Sequence, residues 1–141
     1  MKTTSVMVSR VIPAPPERVF AAWSDAVLLS RWFVVETGWV ARAKNDFRVG
    51  GAYRIEMHRP DGTVFVAFGE YLEIDAPHRL AFTWSSAEPR VDRSIVRLEL
   101  KPSGAGTALT LTHELLPDSE QGRMHAVGWE GSLAQLERFL A

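Results

Sequence analysis

Apolar and polar residues alternate along several stretches of this chain, and this is the period of a β-strand. The first stretch is residues 5–12 (SVMVSRVI), which ends at a cluster of three prolines. Further alternating runs follow between residues 52 and 113, separated by turn sequences at 60–62 (PDG), 75–79 (DAPHR) and 103–106 (SGAG). Since short turns join antiparallel neighbours, the pattern predicts a meander of six or seven strands.

Two short helices are predicted directly after the first strand. Pro16 suits the first position of a helix, where its missing N–H costs nothing, and Val19 and Trp23 then share one face. Asp25 is a typical N-cap, so we predict a second short helix over residues 25–33. Its inward side carries Leu28, Leu29, Trp32 and Phe33.

A long helix is predicted at the end of the sequence. Asp118 and Gln121 have the spacing of a capping box, and the residues from there to Leu140 repeat with a helical period. The inward stripe of this helix consists of His125, Trp129, Leu133, Leu136 and Leu140.

The two glycines of this helix are predicted to differ. Helical-wheel geometry places Gly128 nearer to the inward stripe than Gly131. We therefore expect Gly128 to admit the close approach of a neighbouring loop or strand edge and Gly131 to lie near solvent. On this interpretation Gly128→Val disturbs packing, whereas Gly131→Ala is neutral or stabilising.

The elements occur in the order strand, two short helices, a run of strands and one long helix. This order predicts an α+β domain whose helices cover one face of a strongly curved antiparallel sheet. A chain of 141 residues has the length of one domain, so we expect residues 1–141 to form a single unit.

Composition narrows the possible functions. The chain has no cysteine, which excludes disulfides, thiolate metal sites and a cysteine nucleophile. Sixteen basic and seventeen acidic residues provide no excess charge for nucleic acid or for an anionic membrane. No apolar run approaches the roughly 18 residues of a membrane span, and the four histidines lack a metal-binding spacing. We expect a cytoplasmic protein without metal, cofactor, nucleic-acid partner or membrane partner.

Five segments of the chain carry a family resemblance. They are 12–33 (IPAPPERVFAAWSDAVLLSRWF), 46–57 (DFRVGGAYRIEM), 69–84 (GEYLEIDAPHRLAFTW), 107–116 (TALTLTHELL) and 128–140 (GWEGSLAQLERFL). In this order and spacing they resemble the homologues of heat shock chaperone ATPase activators, which belong to the START-like, or SRPBCC, superfamily that includes the birch pollen allergen. The resemblance implies the α+β helix-grip (Bet v 1-like) fold.

The resemblance also implies a cavity between the concave sheet and the C-terminal helix. The sequence offers a mostly apolar lining with a few polar groups, which is the usual composition of a small-molecule site. The alternative is an aromatic interior that is simply filled. The candidate lining residues are Trp23, Trp32, Phe33, Tyr53, Ile55, Met57, Phe68, Phe82, Trp84, Leu98, His113, His125, Trp129 and Leu133.

His113 and His125 are the polar members of this set. An imidazole suits proton transfer near neutral pH, or donation of a hydrogen bond to a bound carbonyl. The alternative, which we favour for each, is a structural histidine bonded to neighbouring groups. Glu70 is a further candidate, since it faces the cavity if a β-bulge shifts the strand register beside Gly69.

Three functions are compatible with these features. The favoured one is the binding of a hydrophobic or aromatic small molecule, in a stress-related role and without catalysis. The resemblance implies an interaction protein that activates a chaperone ATPase as the alternative, with a chaperone as the less favoured partner. The third is a polyketide cyclase- or dehydratase-type enzyme with His113 or His125 as proton shuttle.

Overall fold

Seven strands form one antiparallel sheet in the computed structural model, which describes residues 2–141. The strands are β1 (Thr3–Ile12), β2 (Val40–Asn45), β3 (Ala52–His58), β4 (Val64–Asp75), β5 (Arg79–Ser86), β6 (Val91–Ser103) and β7 (Gly106–Pro117). Their spatial order is β1-β7-β6-β5-β4-β3-β2, so β2 to β7 follow one another as a meander and β1 pairs with β7. The predicted meander is confirmed.

Four helical segments accompany the sheet within this range: α1 (Pro16–Ser24), α2 (Ala26–Trp32), α3 (Glu120–Arg123) and α4 (His125–Leu140). Asp25 caps α2 as predicted, because its Oδ1 accepts the backbone N–H of Val27 at 2.8 Å and of Leu28 at 3.3 Å. Helix α4 contacts β1 and α2. The element order and the sheet topology confirm the α+β helix-grip fold.

The C-terminal helix begins later than predicted. Ser119, not Asp118, caps the single turn α3, because its side chain accepts the N–H of Gly122 at 3.1 Å. Met124 then separates α3 from the 16-residue α4. A Cβ at Gly122 would overlap the carbonyl oxygen of Pro117. The end of β7 and the start of α3 therefore pack too closely for any residue but glycine, and the predicted cap at Asp118 is wrong.

Phe68, a candidate cavity residue, lies on the outer face of the sheet. It pairs with Arg54 on β3 and is 46% exposed. The inward phenylalanine of β4 is Phe65, which pairs with the buried Met57. Because successive side chains of a strand alternate between its faces, Phe65 and Phe68 cannot both point inward from a regular strand. The predicted inward position of Phe68 is wrong.

Glu70 also lies on the outer face. Its Oε1 accepts a hydrogen bond from Nη2 of Arg93 at 3.2 Å. The irregularity in the pairing of β4 with β5 falls between Tyr71 and Glu73, which is too late to turn Glu70 inward.

The two glycines of α4 have the opposite surroundings to those predicted. A Cβ at Gly131 would overlap the carbonyl oxygen of Val35 and lie 3.0 Å from its Cγ1. A Cβ at Gly128 would meet only Cγ2 of Val35, at an ordinary 3.9 Å. The segment after α2 therefore crosses α4 at Gly131. The helical wheel missed this because it orients α4 toward the sheet alone and contains no information about a loop on the helix flank.

Candidate functional site

A cavity of about 230 Å³ lies where three parts of the fold meet. These parts are the segment after α2, the β3–β4 hairpin and the region where α3 gives way to α4. The residues that line it are Phe33, Val35, Trp39, Met57, Arg59, Phe65, Trp84, Pro89, Gln121, Met124, His125, Gly128, Trp129 and Ser132.

The floor of this cavity is aromatic and its rim is exposed. Phe33, Trp84 and Trp129 are at most 3% exposed, and the rings of Trp84 and Trp129 lie 5.0 Å apart between centroids. Gln121 and Met124, by contrast, are exposed lining residues. The buried members therefore form the inner end, and the exposed members mark the opening.

A neighbouring part of the interior, which shares Phe33 with the cavity, is filled. Trp23, Leu29, Phe33, Tyr53, Ile55, Tyr71 and Phe82 surround a void of only about 10 Å³. Such a void holds at most about one water molecule. The Tyr53 ring meets Phe82 edge-on with centroids 5.3 Å apart, and its hydroxyl donates to the Thr83 carbonyl at 2.5 Å. Burial raises the pKa of Tyr53 well above its usual value.

The structure divides the predicted lining residues into several groups. Phe33, Met57, Trp84, His125 and Trp129 line the large cavity. Trp23, Tyr53, Ile55 and Phe82, together with Phe33, line the small void. Trp32, Leu98, His113 and Leu133 are buried in the core without lining either space, and Phe68 faces outward. That the first group contacts a ligand stays a prediction.

Sequence reasoning missed several lining residues, among them Trp39, Arg59 and Phe65. Trp39 precedes the short β2, and Arg59 lies in the turn region of the β3–β4 hairpin. The guanidinium of Arg59 contacts the indole ring of Trp39. Because the two residues are twenty positions apart, no periodic pattern in the sequence reveals this contact. The signal that was available for Phe65 is the strand period itself, which forces a choice between Phe65 and Phe68.

His113 is the centre of a buried hydrogen-bond chain. Nε1 of Trp129 donates to Nδ1 of His113 at 3.0 Å, and Nε2 of His113 lies 2.7 Å from Oγ of Ser94. Oγ of Ser94 in turn donates to the carbonyl of Trp84 at 2.7 Å. All four residues are at most 3% exposed. The chain therefore links the floor of the cavity to strands β5, β6 and β7.

The direction of each bond in this chain is determined by its ends. An indole N–H only donates and a carbonyl only accepts. Nδ1 of His113 is therefore the acceptor, and its Nε2 carries the proton. Nε2 donates to the Ser94 hydroxyl, and that hydroxyl donates to the Trp84 carbonyl. Burial, with a smaller contribution from the neighbouring His125, lowers the pKa of His113 from 6.5 to about 3. His113 is a neutral histidine with both ring nitrogens occupied, which agrees with the structural role that we favoured.

His125, unlike His113, lines the cavity. Its Nδ1 lies 3.1 Å from the carbonyl oxygens of both Gln121 and Gly122, so Nδ1 donates and the ring caps the last turn of α3. The ring packs edge-on against His113 with centroids 5.2 Å apart. His125 therefore presents a half-buried imidazole on the cavity wall, with Nε2 as its acceptor in the neutral form.

Arg59 brings a positive charge to the cavity. Its guanidinium carbon lies 5.1 Å from the centroid of the Trp39 ring, and its Nη1 donates to Oγ1 of Thr63 at 3.1 Å. Arg59 and Trp39 are both half-buried, and both line the cavity. Within the described chain, the cavity wall contains no aspartate or glutamate.

Trp23 and Trp84 carry polar atoms that are buried without a partner. For residues 2–141, the indole N–H groups of these two residues are the buried side-chain donors that lack an acceptor. An unsatisfied buried donor costs about 1–3 kcal/mol. Trp84 belongs to the cavity wall and Trp23 to the small void.

Metal coordination has no support in the geometry of the described residues. Nowhere between residues 2 and 141 do three or more histidine, cysteine, aspartate or glutamate side chains cluster as metal ligands would. Over the same range, no helix has both the length and the apolar character to cross a membrane.

Comparison with known proteins places this chain in a family. The sequence model of the activator of Hsp90 ATPase homolog 1-like protein family matches residues 13–141. No curated protein matches the sequence. A solved structure of a protein from Chromobacterium violaceum is 31% identical, with 96% of each chain covered and a TM-score of 0.87.

Two further solved structures are similar over nearly all of this chain. An AHSA1-like protein from Aeromonas hydrophila is 25% identical, covers 96% of this chain and 91% of its own, and has a TM-score of 0.80. CalU16 from Micromonospora echinospora is 29% identical, covers 99% of this chain and 77% of its own, and has a TM-score of 0.74. The chain belongs to the activator of Hsp90 ATPase homolog 1-like protein family.

Proposed function

We propose that this protein binds a small apolar molecule, with at least one flat ring, in the 230 Å³ cavity. The observation that carries the proposal is the contrast within one interior, where one part closes to about 10 Å³ and the other stays open over an aromatic floor. Protein interiors normally pack without voids larger than a water molecule. An open cleft of this size over a floor of buried aromatic side chains is a feature that a ligand explains.

The size of the cavity sets the size of the ligand. A dry cavity of roughly 150 Å³ is sufficient to bind benzene, so this one admits one or two fused rings. A ligand of about 13 non-hydrogen atoms at roughly 0.3–0.5 kcal/mol per atom binds with a Kd between about 20 μM and 1 mM. Phe33, Trp84 and Trp129 supply the faces and edges on which such a ring packs.

Polar atoms on the wall favour a ligand that also carries an oxygen. His125, Gln121 and Ser132 supply hydrogen-bonding groups to this wall. A few polar atoms in an apolar lining orient a ligand and give specificity.

Binding without catalysis agrees with the state of His113. A group with both ring nitrogens in buried hydrogen bonds and a pKa near 3 is neutral at physiological pH and has no lone pair or proton free for a substrate. His125 is the imidazole that lines the cavity, and we assign it to ligand orientation.

The experiment is calorimetric titration with 2-naphthamide, a neutral two-ring probe of 13 non-hydrogen atoms. Gly128 lines the cavity with open space beside it, so Gly128→Leu places a side chain where the ligand would lie. Val127→Leu is the matched control, since Val127 is the exposed neighbour of Gly128 and does not line the cavity.

We expect binding by the wild type and by Val127→Leu and at least a tenfold weaker affinity for Gly128→Leu, with thermal melts showing that all three are folded. If the wild type bound neither 2-naphthamide nor its carboxylate analogue 2-naphthoate, the proposal would be overturned. Equal binding by Gly128→Leu would show that the probe occupies a different site.

A further inference from the structure

Among the described residues, the cavity wall carries a positively charged arginine and no negatively charged side chain. Arg59 contributes the formal charge at the wall, and no carboxylate from residues 2–141 lines the cavity to balance it. The guanidinium also makes no ion pair within 4.0 Å anywhere in the described chain. Arginine is charged at every physiological pH. A cation with this placement attracts an anion into an otherwise apolar site.

Neighbouring groups orient the guanidinium without neutralising it. The Trp39 ring lies 5.1 Å from its central carbon, and Oγ1 of Thr63 takes one N–H from Nη1. Both contacts reduce the conformational freedom that the side chain would lose on binding a ligand. The remaining N–H groups, on Nε and Nη2, make no side-chain hydrogen bond within residues 2–141.

The acidic residue on the same hairpin, Asp61, has its own partners. Its Oδ1 accepts the backbone N–H of Thr63 at 2.9 Å and the Thr63 hydroxyl at 2.7 Å. Those hydrogen bonds, with a smaller Coulomb contribution from Arg59, lower the pKa of Asp61. The exposed Asp61 carboxylate is therefore hydrogen-bonded to Thr63. The cavity side of Arg59 remains available to a ligand.

We propose that the ligand is an aromatic carboxylate whose rings lie on Phe33, Trp84 and Trp129 and whose carboxylate binds Arg59 at the cavity wall. This inference rests on the proposed function and adds the ligand's charge. A guanidinium binds a carboxylate through two parallel N–H bonds, and this geometry suits a singly charged planar anion. A doubly charged phosphate would need further permanent cations, and the described wall has none beside Arg59.

The test compares two probes of the same shape. 2-Naphthoate and 2-naphthamide have the same rings and the same number of non-hydrogen atoms, and they differ in the charge of the group that would meet Arg59. Each is titrated into the wild type, Arg59→Gln, Arg59→Lys and Arg54→Gln at low and at high salt. Arg54→Gln is the matched control, because Arg54 is an exposed arginine of β3, the strand that precedes Arg59, and lies on the outer face of the sheet.

We expect the wild type and Arg54→Gln to bind the carboxylate roughly tenfold more tightly than the amide, which corresponds to a free-energy difference of about 1.4 kcal/mol. Arg59→Gln should bind both probes with equal affinity, and Arg59→Lys should keep part of the preference for 2-naphthoate. Added salt should weaken the binding of 2-naphthoate only. Melting curves verify that each variant is folded.

The two proposals fail in different ways. If the wild type binds both probes equally, or Arg59→Gln keeps the preference for the carboxylate, the carboxylate assignment is overturned and the cavity remains a binding site. If the wild type binds neither probe, the proposed function is overturned and this inference with it.

Discussion

The two ends of the interior have similar composition and opposite packing. Around Tyr53, Tyr71 and Phe82, helices α1 and α2 bring Trp23 and Leu29 onto the sheet, and about 10 Å³ stays empty. Near the start of α4, the aromatic floor faces a hairpin, a loop and a helix break, and about 230 Å³ stays open. Aromatic content therefore does not decide whether an interior is filled. The difference depends on which elements reach across the sheet.

The largest expected effect comes from making the same truncation at both ends. Phe82 is 4% exposed and lies in the filled end, whereas Phe65 is a half-buried residue on the cavity wall. We predict that Phe82→Ala lowers the free energy of unfolding by about 3–5 kcal/mol and Phe65→Ala by about 1–2 kcal/mol. Urea denaturation measures both. Equal losses would mean that the two ends are packed alike.

The second effect concerns His113, which lies behind the cavity floor. Its folded-state pKa of about 3 is below the value of about 6.5 in the unfolded chain, so the unfolded state takes up a proton first as the pH falls. The stability that neutral His113 provides is thus complete above pH ~6.5 and decreases toward pH ~3, by up to roughly 1.4 kcal/mol per pH unit.

His113→Gln should accordingly be less stable than wild type at pH 7 and should lose less stability between pH 6.5 and 4.5. His78→Gln, which changes an exposed histidine, is the control variant. Urea titrations at several pH values measure the slopes. Parallel curves for wild type and His113→Gln would show that His113 is not the buried neutral group described above.

The third effect separates the two glycines of α4. Gly131→Ala forces a Cβ against the backbone of Val35 and should cost about 1–3 kcal/mol. Gly128→Ala meets only ordinary contact and should gain up to about 1 kcal/mol of helix propensity. Thermal melts rank the two variants. The opposite ranking would show that the segment after α2 does not cross α4 at Gly131.

The smallest effect tests the turn that borders the opening of the cavity. Ser119→Ala removes the cap of α3 and should cost about 1 kcal/mol. Asp118→Ala removes an exposed ion pair to Arg123 and should cost less than about 0.5 kcal/mol. A larger loss for Asp118→Ala in the same denaturation assay would restore the capping box that the sequence predicts.

Much of the fold is predictable because it repeats with a period. Alternation and turn residues give the strands of the meander, and Pro16 and Asp25 mark the first two helices. Phe68 was misplaced because a strand with a phenylalanine at both 65 and 68 offers two possible faces. The local sequence pattern predicts the strands and helices. Which residues of a strand face inward depends on the strand register.

The candidate site is less predictable because it lies where elements end. The aromatic floor residues Phe33, Trp84 and Trp129 follow from their inward positions on helix and strand. Arg59 and Trp39 lie in connecting segments, and only the folded chain brings them together. The same is true of Val35 and Gly131, whose close contact depends on the path of a loop.

The indole N–H signals of the five tryptophans test the central claim most directly. Trp39, Trp84 and Trp129 line the open cavity, Trp23 lines the small void, and Trp32 is buried in the core with its Nε1 bonded to the Ala22 carbonyl. In ¹H–¹⁵N spectra of the assigned protein, saturating 2-naphthamide should shift the first three signals and leave those of Trp23 and Trp32 in place. Equal shifts of all five, or no shift of any, would contradict a molecule with one open and one filled end.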